Sequence, residues 1–472
     1  MTSPVSESLL IGGRWYASAR VSDIRSPWDG KVAGVVACAT ADQALEATRL
    51  AKGYRCTLSA FERSTVLALT ADRIATQAEE FARSIVAESG LALKEARREV
   101  VRAITQLRVC AEEAKRITGE CMETDVTSTN GRNIAFTLRE PIGMVLAITP
   151  FNRPLNQVVV KLGPAIAAGC SVVLKPSEKT PLTAIKFVRT LIDCGLPAEM
   201  VAVVTGDPSE IGDALTGSPD VDMVTFTGSA MVGEHIARRV GMIRTAFELG
   251  DSGALIVMED ADLAAAATAA GPGAFATSGQ SCRGIKRLLV HEAVADTFAA
   301  MLAKEAGKLK VGDPWDPATD MGTLISEAAA VEVEDRVTAA VATGAKVLAG
   351  HRRQSAQYWP TVIDHVDHAT ALVQSETFGP CAPVVRITNF DHAMESANAT
   401  AFGLQTGIFT RDIGRAMAAI RTLRTGAIIV NGGPQFEAPN IPFGGVKKSG
   451  LGREGVKYAI QEMTIVKTVV LP

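Results

Sequence analysis

Between residues 141 and 227 the chain alternates short, almost uninterrupted apolar runs with stretches of helical character: GMVLAITP, LNQVVVKLGPAIAAG, SVVLKPS, AVVTG and DMVTFTGS follow one another. A strand with one face in water alternates apolar and polar residues, whereas a run apolar at every position has both faces covered. Covered strands separated by helices are the mark of parallel βαβ units, so this stretch predicts an α/β sheet with helices on both sides, a Rossmann-like half. A second series begins after about residue 250 with ALIVMED, RLLVHE, KVLAG, PVVRITNF and GAIIVNG. At 472 residues the chain exceeds what one hydrophobic core accommodates, and two or three domains are expected.

The remaining segments read differently. Residues 40–120 are rich in Ala, Glu, Arg and Leu, with apolar residues recurring at three and four, which predicts two or three long helices. In ECMETDVTSTNGRNIAFTLREP an Asn130-Gly131 step lies among β-branched residues and predicts a protruding hairpin. The tail AIQEMTIVKTVVLP ends in a β-rich segment, expected to pair with the hairpin of a neighbouring subunit because an unpaired strand edge seeks a partner.

Charge and composition exclude several classes. A net charge of -3 offers no polyanion-binding surface, so nucleic acid is not an expected partner. No window reaches about 18 uninterrupted apolar residues, and the N-terminus lacks the basic start and long apolar core of a signal peptide. No membrane association is expected. The eight cysteines are scattered without a CxxC pair, which suits reduced thiols in the cytoplasm. His365 and His368, in IDHVDHAT, read as part of a solvated loop, and no metal is expected.

Five stretches carry candidate chemistry, and each has a plainer reading beside it. VTFTGSAMVG places Gly228 and Ser229 between a strand and a helix, where backbone N–H groups suit a pyrophosphate; such turns are also common without a ligand. VVLKPSEKTP puts Lys175, Ser177 and Glu178 at a strand's C-terminal end, where open parallel sheets bind ligands. A carboxylate there can accept both hydroxyls of an adenosine ribose and would repel a 2′-phosphate; otherwise it is a solvated loop. Asn152, held between prolines in ITPFNRPLN, could donate to a developing oxyanion or simply make a turn. Glu248 in AFELGDSG could act as a general base, above all if burial raises its pKa, or be surface charge. Cys282 in ATSGQSCRGIKRLLV could be a nucleophile, its thiolate favoured if Arg283 and Lys286 face it, or a small buried hydrophobe.

Taken in order, TPFNRP, AAGCSVVLKPSEKTP, FTGSAMVG, FELG, GQSCRG, ETFGPCAPV and PFGGVKKSGLGREG resemble the aldehyde dehydrogenase superfamily, nearest its lactaldehyde and phosphonoacetaldehyde branch. The resemblance implies an α/β aldehyde dehydrogenase fold. Residues 1–119 and 141–249 would form a Rossmann-like cofactor-binding domain, 250–440 an α/β catalytic domain, and 120–140 with 455–472 a small β oligomerisation element. It further implies that Cys282 attacks an aldehyde, that Asn152 and the cysteine's own N–H hold the oxyanion, that hydride passes to NAD(P), and that Glu248 activates the hydrolytic water. Thr149, Pro150, Phe151, Lys175, Ser177, Glu178, Gly228, Ser229, Gly250, Glu376 and Phe378 would line the cofactor site, with NAD preferred and NADP left open by Lys175 and Lys179. The expected partners are a small-molecule aldehyde and further copies of the chain, as a homodimer or homotetramer.

Two departures stand out. ELGDSG places Asp251 three residues after Glu248, where a second negative charge would raise the pKa of the base or the loop would be rearranged. Arg283 follows the nucleophile and Arg153 follows Asn152; with Arg108 they could form a fork for an anionic aldehyde, flanked by Ser281 and Phe436. The alternative is that Arg108 and Arg153 pair with structural carboxylates. A retained Glu248 favours release of a free acid over transfer to coenzyme A, and a catalytically impaired binding or structural relative is the remaining alternative.

Overall fold

Both apolar series become parallel strands. In the computed structural model, which describes residues 5–472, Met144–Ile148, Ser171–Lys175, Val201–Val203, Met223–Thr227 and Arg244–Glu248 lie side by side. Met144–Ile148 is the middle strand, with Ser171–Lys175 then Val201–Val203 on one side and Met223–Thr227 then Arg244–Glu248 on the other. The chain therefore winds outward in both directions from its first strand, and a crevice opens where the order reverses, at the strands' C-terminal ends. Helix Asn156–Ala168 is buried along nearly its whole length, which explains why LNQVVVKLGPAIAAG is apolar on every face. Its Val158, Leu162 and Ile166 share one core with Val145, Val172 and Val203.

The second sheet runs Lys346–Ala349, Thr361–Asp364, Cys381–Ile387, Arg287–His291, Ala254–Val257, Gln405–Phe409, Ala427–Val430. Its strands are parallel except the first, which is antiparallel to its neighbour.

Residues 40–120 hold four helices rather than two or three: Ala41–Gly53, Ala60–Thr76, Ala78–Ser89 and Leu93–Glu113. Capping boxes at Thr40/Gln43 and Ser59/Glu62 start the first two, and Gln77, at φ -107°, splits the second from the third. The apolar period runs across that break, which is why it reads as continuous.

The hairpin and the tail also differ from expectation. Only Cys121–Met122 pairs back on Ile134–Pro141, and Asn130-Gly131 sits in a wide loop cross-tied by Thr124 Oγ1, which accepts from Asn133 N at 2.8 Å. The tail strand Thr464–Leu471 pairs with Ile134–Pro141 of the same chain, antiparallel and in register over eight positions. One edge of the tail strand is thus paired internally, and the strand forms the outer edge of a three-stranded sheet in the order Thr464–Leu471, Ile134–Pro141, Cys121–Met122. Ile134, Leu138, Val466 and Val470 of this small sheet remain exposed.

Among the described residues no helix is long and apolar enough to cross a membrane. His368 bonds the Ser396 carbonyl and Gln374. The exposed Asp296 and His365 cluster with the buried Asp364, but the Arg386 guanidinium is bonded to both carboxylates.

Candidate active site

The crevice at the sheet's C-terminal edge is a cleft of two adjoining cavities, about 310 and 620 Å³, that share Pro150, Phe151, Thr227, Gly228 and Ser229 on their walls. Thr149, Lys175, Ser177 and Glu178 line the larger; Asn152, Gly250, Gln280, Cys282, Glu376 and Phe378 line the smaller. The expected cofactor residues are therefore gathered in one place. Ser229 caps helix Ala230–Arg239 by accepting from Val232 N. Asn152 Oδ1, Gln157 Oε1 and Thr227 Oγ1 are buried there without hydrogen-bond partners. Those unused acceptors and the open N-terminal turn of a helix fit a long polar ligand such as NAD(P).

Cys282 stands at the inner end, on a loop whose backbone is strained: Thr277, Ser278 and Gly279 have φ of 58°, 54° and 70°. Left-handed Thr and Ser each cost roughly 1–2 kcal/mol, so something must hold them. Arg153 Nη2 donates to Thr277 Oγ1 (2.9 Å), and Lys286 Nζ donates to the Gly279 carbonyl (2.6 Å). Gln280 Oε1 accepts from Ile325 N (2.9 Å). A Cβ at Gly279 would collide with the Gly379 carbonyl, so only glycine lets these loops touch. Burial pushes the Cys282 thiol up to about 12, against Arg283, which lowers it, while Glu376 and Glu248 raise it further and Arg153 lowers it. Asn152 Nδ2 spends one hydrogen on the Gln280 carbonyl (2.9 Å), which fixes the direction of the other.

Glu248 ends the strand Arg244–Glu248, buried, with Oε2 unpartnered. Its pKa is raised well above the carboxylate range by burial and then by Glu454, while Lys161 and Arg453 pull it down. Lys161, fully buried, bonds Glu454 (2.9 Å) and Thr225 Oγ1 (3.1 Å). The negative neighbour is thus Glu454 and not Asp251. Asp251 points the other way: its Oδ2 accepts from Gln405 N (3.2 Å), and burial raises it to about 6. Its backbone N–H donates to Glu376 Oε1 (3.3 Å), and Gly250 leaves the room for that carboxylate. Burial raises Glu376 to about 7. Phe378 packs edge-on against Phe151, ring centres 5.9 Å apart.

The arginine fork forms only in part. Arg283 binds Glu437 (2.7 Å) and the Gln435 carbonyl (3.1 Å) on the wall of a third cavity of about 230 Å³. Arg153 is buried between the nucleophile loop and the Glu99 carboxylate. Arg108 is exposed and paired with Asp72 (3.1 Å), because it lies nearly opposite, round the helix, to the face that meets the site. That face carries Glu99, Arg102 and Gln106, a spacing readable in the sequence once one of them is anchored. Glu99 accepts from Leu155 N and Asn156 N; Arg102 and Gln106 line the third cavity with Glu437. Ser281 lies on neither wall, its carbonyl closing a turn with Gly284 N. Phe436 turns its ring to the surface, 55 % exposed, while its neighbours Gln435 and Glu437 face in. Glu437, Glu454, Lys161 and Arg102 had no local signal; each matters through a partner distant in sequence.

Residues 15–469 match the Aldehyde dehydrogenase family. The chain is 40 % identical over 472 residues to the 3-sulfolactaldehyde dehydrogenase of Priestia aryabhattai, covering 100 % of this chain and 99 % of that protein. It is 41 % identical over 452 residues to aspartate-semialdehyde dehydrogenase 1 of Pseudomonas canavaninivorans, with 95 % and 96 % covered. The crystal structure of glyceraldehyde-3-phosphate dehydrogenase GapN from Methanocaldococcus jannaschii, complexed with NADP, superposes with a TM-score of 0.92 at 37 % identity, covering 96 % of this chain and 99 % of that one. Likeness in sequence and in fold that runs from end to end makes this chain a member of the aldehyde dehydrogenase family.

Proposed function

We propose that the substrate is a small aldehyde with an anionic group at the end away from the carbonyl, oxidised to the carboxylic acid. The carrying observation is the cavity next to the nucleophile, where Arg102 and Arg283 face one carboxylate, Glu437, and Arg102 Nη1 is buried without a partner. Guanidiniums in excess of carboxylates in a partly dry cavity favour a bound anion. The sulfonate and carboxylate in the names of two relatives are of that kind. Arg102→Gln should raise KM about 10- to 100-fold for sulfo- and carboxy-aldehydes, the worth of a hydrogen bond to a charged group, and leave neutral aldehydes nearly unchanged. Steady-state kinetics on a panel checks this; neutral aliphatic aldehydes outperforming every sulfo-, carboxy- and phosphono-aldehyde would overturn the reading.

In this reading Cys282 Sγ bonds to the aldehyde carbon, its proton leaves to water in the cleft, and the carbonyl oxygen takes the displaced electron pair beside the free N–H of Asn152. Bound NAD(P) supplies the acceptor for the two electrons of the aldehyde C–H bond. The Cys282 thioester is then cleaved by water, whose proton Glu248 accepts; the carbon–sulfur bond breaks and the thiolate is regenerated. Lys161 and Glu454 take part through charge, the ammonium favouring the ionised form of Glu248 and the carboxylate opposing it.

The preferred cofactor is NAD. Glu178 lines the larger cavity close to Lys175, a position from which it can accept from both ribose hydroxyls, whereas a phosphate there would meet its charge. Glu178→Gln should shift the ratio of kcat/KM for NADP over NAD upward by about tenfold; equal efficiencies in the wild type would contradict this.

A further inference from the structure

Lys286 is 2 % exposed, and none of the steps above uses it. Burying an ammonium is costly unless it is satisfied, so its surroundings should say what it is for. It lies between two loops. On one side Nζ donates to the Gly279 carbonyl at 2.6 Å, the last residue of the left-handed run before Cys282. On the other it sits 5.3 Å from the centre of the Phe378 ring, in the loop that carries Glu376. The loops touch where Gly279 meets Gly379. The charged groups around the Glu376 carboxylate are few: Lys286, the Asp251 carboxylate, which opposes it, and Arg336, which donates to the Glu376 carbonyl at 2.7 Å. Among them Lys286 does most to keep the carboxylate ionised against the burial that raises it.

We propose that Lys286 is a positioning residue that ties the nucleophile loop, residues 277–282, to the 376–380 loop and brings its positive charge to the side of that loop where Glu376 meets the nicotinamide ribose, so that one ammonium sets both thiol placement and cofactor affinity. The proposal rests on reading Glu376, which the family resemblance puts among the cofactor residues and which lines the same cavity as Cys282, as the ligand of the nicotinamide ribose. An ionised carboxylate accepts from ribose hydroxyls with both oxygens; a protonated one gives up part of that capacity. Affinity is therefore present above the carboxyl's pKa and lost as pH falls through it.

The test is NAD binding, followed by fluorescence titration from about pH 6 to 9, on wild type, Lys286→Met, Lys286→Gln, Lys286→Arg and Glu376→Gln. In the wild type affinity should fall as pH drops through about 7. In Lys286→Met the fall should come about one pH unit higher, making Kd about fivefold weaker at neutrality and about tenfold weaker near pH 6, with Lys286→Arg restoring the wild-type profile. Lys286→Gln, which can still donate to the Gly279 carbonyl, should show the shifted affinity profile yet keep the wild-type rate of Cys282 alkylation by iodoacetamide; it also replaces the Met variant should that fail to fold. Glu376→Gln should bind weakly with a flat profile. A Lys286→Met or Lys286→Gln profile that superimposes on wild type, while Glu376→Gln is weak and flat, overturns the role of Lys286 alone. Full affinity in Glu376→Gln overturns the ribose reading and the proposal with it.

Discussion

Cys282→Ala should lower kcat by at least about 10⁴-fold, the scale of loss when a covalent nucleophile is removed from a preorganised site. The residue touches the aldehyde through one sulfur, and among the described cysteines the remaining thiols lie outside the walls of the nucleophile cavity, so nothing replaces it. NAD binding should survive, because the cofactor-facing walls are contributed by Pro150, Phe151, Gly228 and Ser229. NADH absorbance with wild type and variant, together with intact mass of wild type quenched during turnover, checks both halves. Retention of even 1 % activity, or the absence of an acyl adduct on Cys282, would end the covalent mechanism, whereas a wild type that forms no NADH would revive the binding-protein alternative.

Glu248→Gln should separate the two chemical stages. Thioester formation does not draw on this carboxylate, so a first burst of about one NADH per site is expected, followed by turnover about 10²- to 10⁴-fold slower, the usual worth of a general base. The variant should also change the pH profile. In the wild type the base works only when ionised, and burial with Glu454 nearby raises its pKa well above that of an ordinary carboxyl. Turnover should accordingly keep rising with pH well beyond the range in which a free glutamate, half ionised at about 4.3, completes its titration. In Glu248→Gln that limb should vanish. Rapid-mixing absorbance records the burst and steady-state assays the profile; a variant with no burst would mean that Glu248 is needed before the thioester, and rapid turnover would mean that it is not the base.

Much of this protein is written in local sequence. The central strands could be read because each is short and apolar at every position, a pattern that burial on both faces demands. Cys282, Asn152 and Glu248 could be found because each sits in a stretch whose order along the chain resembles a known family. What escaped depends on tertiary geometry. Arg108 and Arg102 lie on one helix, and only the packed face tells which points inward. Asp251 looked like the charge beside Glu248 because it is three residues away, yet the strand ends between them and the chain turns; Glu454, some two hundred residues later, takes that place. Asn130-Gly131 promised a tight turn, but Thr124 offers the loop other hydrogen bonds. The tail was sent to a neighbour because a strand's partner cannot be read from its own residues.

The order in which the chain is synthesised adds a consequence. Residues 450–471 are translated after everything they join: Gly450–Leu451 closes one edge of the cofactor sheet, Glu454 neutralises the buried Lys161, and Thr464–Leu471 zips onto a strand made more than 300 residues earlier. While the ribosome still holds this segment, Lys161 has no carboxylate to meet it and the half-built sheet carries an open edge. The buried setting of Glu248 is thus complete only once residues some two hundred positions later have folded onto the sheet.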